Sequence, residues 1–330
     1  MYDSEKKDAA YWAERMREET HVRHVSGDVY ESVSPDVTVP FGSRSIFGGV
    51  LLGQAINAAS ATMPEKYLVQ SMQVRFLDTA KRDRIQFTVT SLRSGRSYIL
   101  CRVEAHQHGR FIFTSFISFK VPDAPDTSYA IGAPIIDSNA EFEISEEVKT
   151  GTRPAFVLPP EESMPGNVRY EKGLANFPDI AKLEFALKGL RYDQLRHPAE
   201  YRVAVPTMYN EMSLYQFGSK LALWVRARGD YHEDENHQRA ALAYYIDQFL
   251  VPHSTSVFSG CPSMMASLDH SMWFYESFSM SDWLLLVMEP QSVADGRTLV
   301  LGRIYRQDGV LVAVAIQEGV FRQSHNKALM

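Results

Sequence analysis

The chain says nearly the same thing twice, about 200 residues apart. Residues 95–109 read GRSYILCRVEAHQHG and residues 296–309 read GRTLVLGRIYRQDG. Gly95, Arg96, Arg102 and Gly109 align with Gly296, Arg297, Arg303 and Gly309. Each copy holds two strand-like runs joined at a glycine, downstream of a helix-like segment. A period this long does not suit a solenoid, whose repeats run to roughly 20–50 residues. It suits two copies of one domain fused in tandem, and a length of 330 residues is right for about two domains. In a fused pair the halves are free to diverge, so that one keeps chemistry and the other only packing.

The sequence between these landmarks divides the chain. Residues 1–40 read as an N-terminal extension with a charged helical piece near 4–19. A first unit is expected over 41–120. In it Gly48-Gly49 opens a helix that carries Leu52, Ala55, Ile56 and Ala59 on one face, with strands following near 67–77, 85–92, 97–106 and 110–120. Residues 121–200 read as a linker or insertion, rich in proline and acidic residues at its start. A second unit is expected over 201–324, with a strand near 218–227, a helix from about His237 to Leu250, and strands near 266–275, 283–291, 297–306 and 310–321. Residues 325–330 form a tail. One helix followed by four antiparallel strands, twice, is an α+β helix-on-sheet arrangement.

Composition excludes several classes. A net charge of −6 gives no electrostatic footprint for nucleic acid. The longest apolar runs, such as 282–288, fall far short of the ~20 residues that span a bilayer. The N-terminus is charged and has no apolar signal-peptide core. Two cysteines, Cys101 and Cys261, make a disulfide framework improbable and read as small buried hydrophobes in a reducing, intracellular compartment. His232 and His237 stand five apart, which misses the i, i+4 zinc pair. Neither a G-x-S-x-G elbow, a P-loop nor a dinucleotide glycine fingerprint is present.

Three polar residues of the second unit interrupt apolar patterns. Asp247 sits in the helix HQRAALAYYIDQFL, on a flank with Ala240, Ala243 and Tyr244; it is either on the wet side or a buried carboxylate that needs a partner. Strand alternation in VLVAVAIQEGVF puts Gln317 on one face with Leu311, Ala313 and Ala315, and the aligned residue of the first unit is Ile117. Ser267 opens the strand SLDHSMWFYE, opposite Val69 of the first unit. Polar residues found in one copy only point to one site per chain, built by the second half. Asp269-His270 is a further acid–base candidate, although neighbours in a strand face opposite ways.

The stretches FGGVLLGQAINAA (47–59), LWVRARGDYHEDENHQRAALAYYID (223–247), SLDHSMWFY (267–275) and QDGVLVAVAIQEGVFR (307–322) resemble the type II acyl-CoA thioesterases. The resemblance implies a double hot-dog fold, in which two sheet-wrapped helices form an intramolecular pseudo-dimer with one continuous sheet. It implies hydrolysis of acyl-CoA thioesters to free acid and CoA, by a water that an Asp, a Thr or Ser, and a Gln hold. Those roles fall on Asp247, Ser267 and Gln317, with Ser where Thr is common in the family. A His-rich motif of relatives stands here as LVQSMQVRFLD. Gly48, Gly49, Arg96 and Arg297 are the candidates for substrate binding, the two arginines for the CoA phosphates. No cofactor or metal is expected.

The expected partner is acyl-CoA, with no nucleic acid and no membrane span. Pairing of double hot-dog chains into a homo-oligomer fits the resemblance. The cytoplasm is the expected compartment, with the peroxisomal matrix as the alternative; the terminal Ala-Leu-Met lacks the basic residue of the usual peroxisomal signal. Two other functions stay open: an enoyl-CoA hydratase-like enzyme with Asp269-His270 as its pair, and an acyl-CoA-binding protein without turnover. A related substrate, such as an acyl carrier protein thioester, would keep the chemistry and change the pocket.

Overall fold

The structure is a computed structural model that describes residues 7–40, 42–123, 129–136, 156–166, 168, 196–204, 221–254 and 262–323. In chain order its helices are α1 (Ala9–Thr20), α2 (Gly48–Ser60), α3 (Glu235–Ile246) and α4 (Leu250–His253). The strands of the first half are β1 (Val22–Ser26), β2 (Val29–Ser32), β3 (Leu68–Phe76), β4 (Gln86–Ser94), β5 (Tyr98–Gln107) and β6 (Arg110–Lys120). Short strands follow: β7 (Ile135–Ile136), β8 (Phe156–Val157), β9 (Met164–Pro165) and β10 (Ala199–Val203). The second half adds β11 (Leu221–Ala227), β12 (Pro262–Phe274), β13 (Leu284–Ala294), β14 (Arg297–Tyr305) and β15 (Leu311–Gln323).

Thirteen of these strands form one sheet in the order β1-β2-β4-β5-β6-β3-β12-β15-β14-β13-β11-β10-β9. The halves join where β3 and β12 pair antiparallel, from Asp269 opposite Arg75 to Trp273 opposite Ser71. The sheet wraps α2 and α3, which is the double hot-dog expected from the resemblance. α2 is buried almost all round because Gly49, Gly53, Ala55, Ala58 and Ala59 let its neighbours close on every side. It crosses α3 antiparallel and at close range: Gly49 lies against the carbonyl of Tyr244, and Gly53 against that of Ala240.

The N-terminal residues belong to this architecture. Asp8 caps α1 by accepting from the Tyr11 N–H at 2.8 Å. Glu19 is fully buried, ion-paired with Arg15, and accepts from the Thr38 N–H at 3.0 Å and its hydroxyl at 2.7 Å. The side chains of Gln54 and Asn57 donate to the last carbonyls of α1, at 3.1 and 2.8 Å, so α1 is bolted onto α2. The β1–β2 hairpin then extends the sheet through β4.

Part of the linker region also has a defined place. Val157 joins Ala204, Trp224, Trp283 and Tyr305 in a second apolar cluster, on the outer surface of the sheet. The Trp224 indole donates to the Leu158 carbonyl at 2.7 Å, which ties this covering to the second unit.

Register corrects two details of the sequence reading. In the first half Ser94 pairs with Ile99, leaving four residues in the turn; in the second Ala294 pairs with Arg297, leaving two. Asp295 and Gly296 supply the positive φ angles, 53° and 68°, that so tight a hairpin needs. The strand positions therefore superpose two residues out of step with the aligned glycines: Cys101 opposes Ile117 as Val300 opposes Gln317. Leu311 also departs from the expected face. A register irregularity between Ile304 and Tyr305 turns it to the outer cluster, while Ala313, Ala315 and Gln317 stay inside. Cys101 is buried, and burial pushes its thiol up to about 12; Cys261 and the C-terminal Ala-Leu-Met lie outside the described residues.

Candidate active site

The helix that carries Asp247 stops earlier than its apolar pattern suggests. α3 ends at Ile246, and Asp247 is the residue that caps it. The turn tightens there, with the Gln248 N–H bonded to the Tyr245 carbonyl and the Phe249 N–H to that of Ile246. The short α4 then follows on a new axis, seated where the absence of side chains at Gly302 and Gly319 leaves room for Leu250 and Val251. The break turns Asp247 inward: its side chain is 3% exposed, so the wet-face reading does not hold.

Ser267 reaches the same place through a β-bulge. Ser267 pairs with Gly319 and Asp269 with Glu318, so Leu268 is an extra residue in β12. In an unbulged strand Ser267 and His270, three apart, would face opposite ways. The inserted residue puts both on the inner face. The first half has the same device: Val69 pairs with Phe119 and Ser71 with Ser118, leaving Gln70 extra. There the inward residues are Val69, Met72 and Ile117, all fully buried and apolar. The second half has Ser267, His270 and Gln317 at the matching positions.

Gln317 is the hinge of the cluster. Its Nε2 donates to Asp247 Oδ1 at 2.6 Å and to Ser267 Oγ at 2.9 Å. One amide group thus spends both hydrogens on the two other candidates. Its Oε1 is buried and has no hydrogen-bond partner among the described residues. Because the Ser267 hydroxyl accepts from Gln317, its own proton is free to be donated elsewhere. His270 Nδ1 lies 3.5 Å from Asp247 Oδ1 and its side chain is fully buried.

The other wall of the site is the N-terminus of α2. A Cβ on Gly48 would stand 2.7 Å from Asp247 Oδ2 and 3.3 Å from the Phe76 ring, so only glycine leaves the carboxylate its place. No side chain caps α2. The first-turn N–H groups of a helix have no intrahelical acceptor and carry its positive end. At Gly48 that end meets the Asp247 carboxylate.

The remaining candidates lie apart. Arg297 is on the outer face of β14, ion-paired with Glu318 at 2.9 Å. Arg96 is in the β4–β5 turn, where its carbonyl accepts from the Tyr67 hydroxyl at 3.0 Å. That is the Val69 end of β3, whereas the Asp247 cluster adjoins Phe76 at the other end. Asp269 and His270 point to opposite faces: Asp269 pairs with Arg75 outside, while His270 faces Asp247. The carboxylate that faces His270 is therefore that of Asp247, not that of its sequence neighbour Asp269.

Comparison with known proteins bears on what this arrangement is for. The family model of the acyl-CoA thioesterase N-terminal domain matches residues 35–120, and that of the acyl-CoA thioesterase C-terminal domain matches residues 184–321. The chain belongs to the acyl-CoA thioesterase family. Mouse acyl-coenzyme A thioesterase 8 is 29% identical to this thioesterase over 287 residues, 85% of this chain and 81% of the relative. Acyl-CoA thioesterase 2 of Haemophilus influenzae is 28% identical over 295 residues, 86% of this chain and 90% of the relative. The crystal structure of acyl-CoA thioesterase II TesB2 from Mycobacterium marinum shares the fold of this thioesterase, with a TM-score of 0.68 and 24% identity over 95% of this chain and 99% of that one. None of the described helices is long and apolar enough to cross a membrane.

Proposed function

We propose that this thioesterase hydrolyses acyl-CoA to free acid and CoA by direct attack of water, with Asp247, Ser267 and Gln317 as the groups that hold and activate that water. The observation that carries the reading is the Gln317 amide, which ties the carboxylate to the hydroxyl beside the bare N-terminus of α2. Asp247 takes one proton as the water oxygen bonds to the thioester carbon. The carbonyl oxygen, gaining negative charge, lies against the N–H groups of Gly48 and Gly49 at the positive end of α2. Collapse of the tetrahedral species breaks the carbon–sulfur bond, and the proton passes from Asp247 to the leaving thiolate. The Oε1 of Gln317 and the hydroxyl proton of Ser267 are the remaining acceptor and donor for the water.

A thioester needs no covalent relay here. The Cys101 thiol is held protonated by burial, and the inner-face serine is bonded to an amide rather than to a base. The apolar copy of the site, at Val69, Met72 and Ile117, supports one reaction centre per chain. Asn236, near the start of α3, accepts from the Val69 N–H at 2.9 Å and donates to the Tyr67 carbonyl at 3.0 Å, which closes that end.

Thiol release from a panel of acyl-CoAs, from acetyl to palmitoyl, tests the function. Release of CoA with a defined chain-length profile supports it; no release by folded protein from any chain length overturns it. Gln317→Ile, the residue that the first half carries at this position, tests the role of the amide. It is expected to lower kcat by about 10²-fold with thermal stability close to wild type.

A further inference from the structure

His270 is a polar residue in a place where the fold asks for none. It sits on the inner face of β12, fully buried, directly opposite Gln317 on one side and Val74 on the other. The matching position of the first half is Met72, which shows that an unbranched apolar side chain satisfies the packing there. Neither ring nitrogen of His270 has a hydrogen-bond partner among the described residues. Burying an imidazole in that condition is costly, and the carboxylate oxygen Oδ1 of Asp247 lies 3.5 Å from its Nδ1.

We infer that His270 is a positioning residue for the hydrolysis, and that it acts by directing its Nδ1–H at Asp247 Oδ1. The inference rests on the catalytic reading of Asp247 given above. Asp247 Oδ1 then receives two donors, the Gln317 amide and the His270 ring, and is fully engaged. That fixes the carboxylate plane and leaves Oδ2, the oxygen beside Gly48, as the one that takes the proton from water.

Few other charges bear on this pair. α3 contributes Asp247 itself, and α2 contributes Gly48, which does not titrate. On β15 the neighbour Glu318 lies on the outer face with Arg297, and on β3 the neighbour Arg75 lies outside with Asp269. α4, which packs against β12 and β15, holds the buried His253.

The test compares His270→Met, His270→Asn and Asp247→Asn with wild type in acyl-CoA hydrolysis. Met repeats the residue of the first half. It is expected to lower kcat by roughly tenfold and to leave KM nearly unchanged, because the carboxylate loses a donor. Asn offers an amide N–H where Nδ1 stands and is expected to recover most of the rate. Wild-type kcat in His270→Met, with Asp247→Asn inactive, would overturn the role of His270 alone. Met and Asn variants that are equally slow would also overturn it, since that outcome means space-filling. Full activity in Asp247→Asn would instead remove the base on which both readings depend.

Discussion

Asp247→Asn is expected to lower kcat by about 10²-fold or more while the protein remains folded. The change is isosteric, so the Gly48 contact and the fit at the end of α3 are retained. The Asn carbonyl oxygen can still accept from Gln317 if the amide is oriented for it. What disappears is a group able to take a proton from water. The measurement is steady-state thiol release, with circular dichroism and thermal melting as the control for folding. A loss confined to kcat assigns Asp247 to the chemical step; turnover near wild type would exclude it as the base.

Two adjacent glycines are expected to fail in different ways. A Cβ on Gly49 would run into the carbonyl oxygen of Tyr244 and the ring of Phe47, and a backbone atom of a packed helix cannot step aside. Gly49→Ala must therefore open the crossing of α2 and α3 at the centre of the molecule. The expected cost is on the order of 3 kcal/mol or more, seen as a marked fall in melting temperature. A Cβ on Gly48 would meet the carboxylate oxygen of Asp247 at 2.7 Å and the Phe76 ring at 3.3 Å, both on side chains. Those can move, so Gly48→Ala is expected to keep the fold and displace the carboxylate, with kcat falling by at least tenfold. Similar melting curves for the two variants would contradict this division.

The candidate site residues stand out in the sequence because each breaks a pattern, and the structure brings the three side chains together. Asp247 interrupts an alanine-rich helix, Gln317 an apolar strand, and Ser267 stands where the other half has valine. Most strands of both units were legible from the runs between their turns. Four features were not. The bulge at Leu268 has no side-chain signature, since an extra residue shows only in the pairing with β15. The end of α3 at Ile246 was hidden by apolar periodicity that continues through Phe249 into α4. The alliance of His270 with Asp247 joins residues on different elements, brought together only by the sheet wrapping the helix. The strands β1, β2 and β10, which extend the sheet beyond β4 and β11, are too short for alternation to mark them. Conversely, the repeated glycine–arginine pattern pointed correctly to duplication while misaligning the strands by two residues, because the two hairpin turns differ in length.

The pairing of β3 with β12 means that no peptide bond is needed to hold the halves together. Their contact is a backbone ladder at the middle of the sheet, backed by the crossing of α2 and α3. The covalent connection raises the effective concentration of each half for the other. It contributes nothing to the ladder itself. A backbone cut in the connecting segment would thus turn a one-chain enzyme into a complementing pair of fragments. Neither fragment would be whole alone, because Gly48 and Asp247, which face each other across the site, would then belong to different molecules.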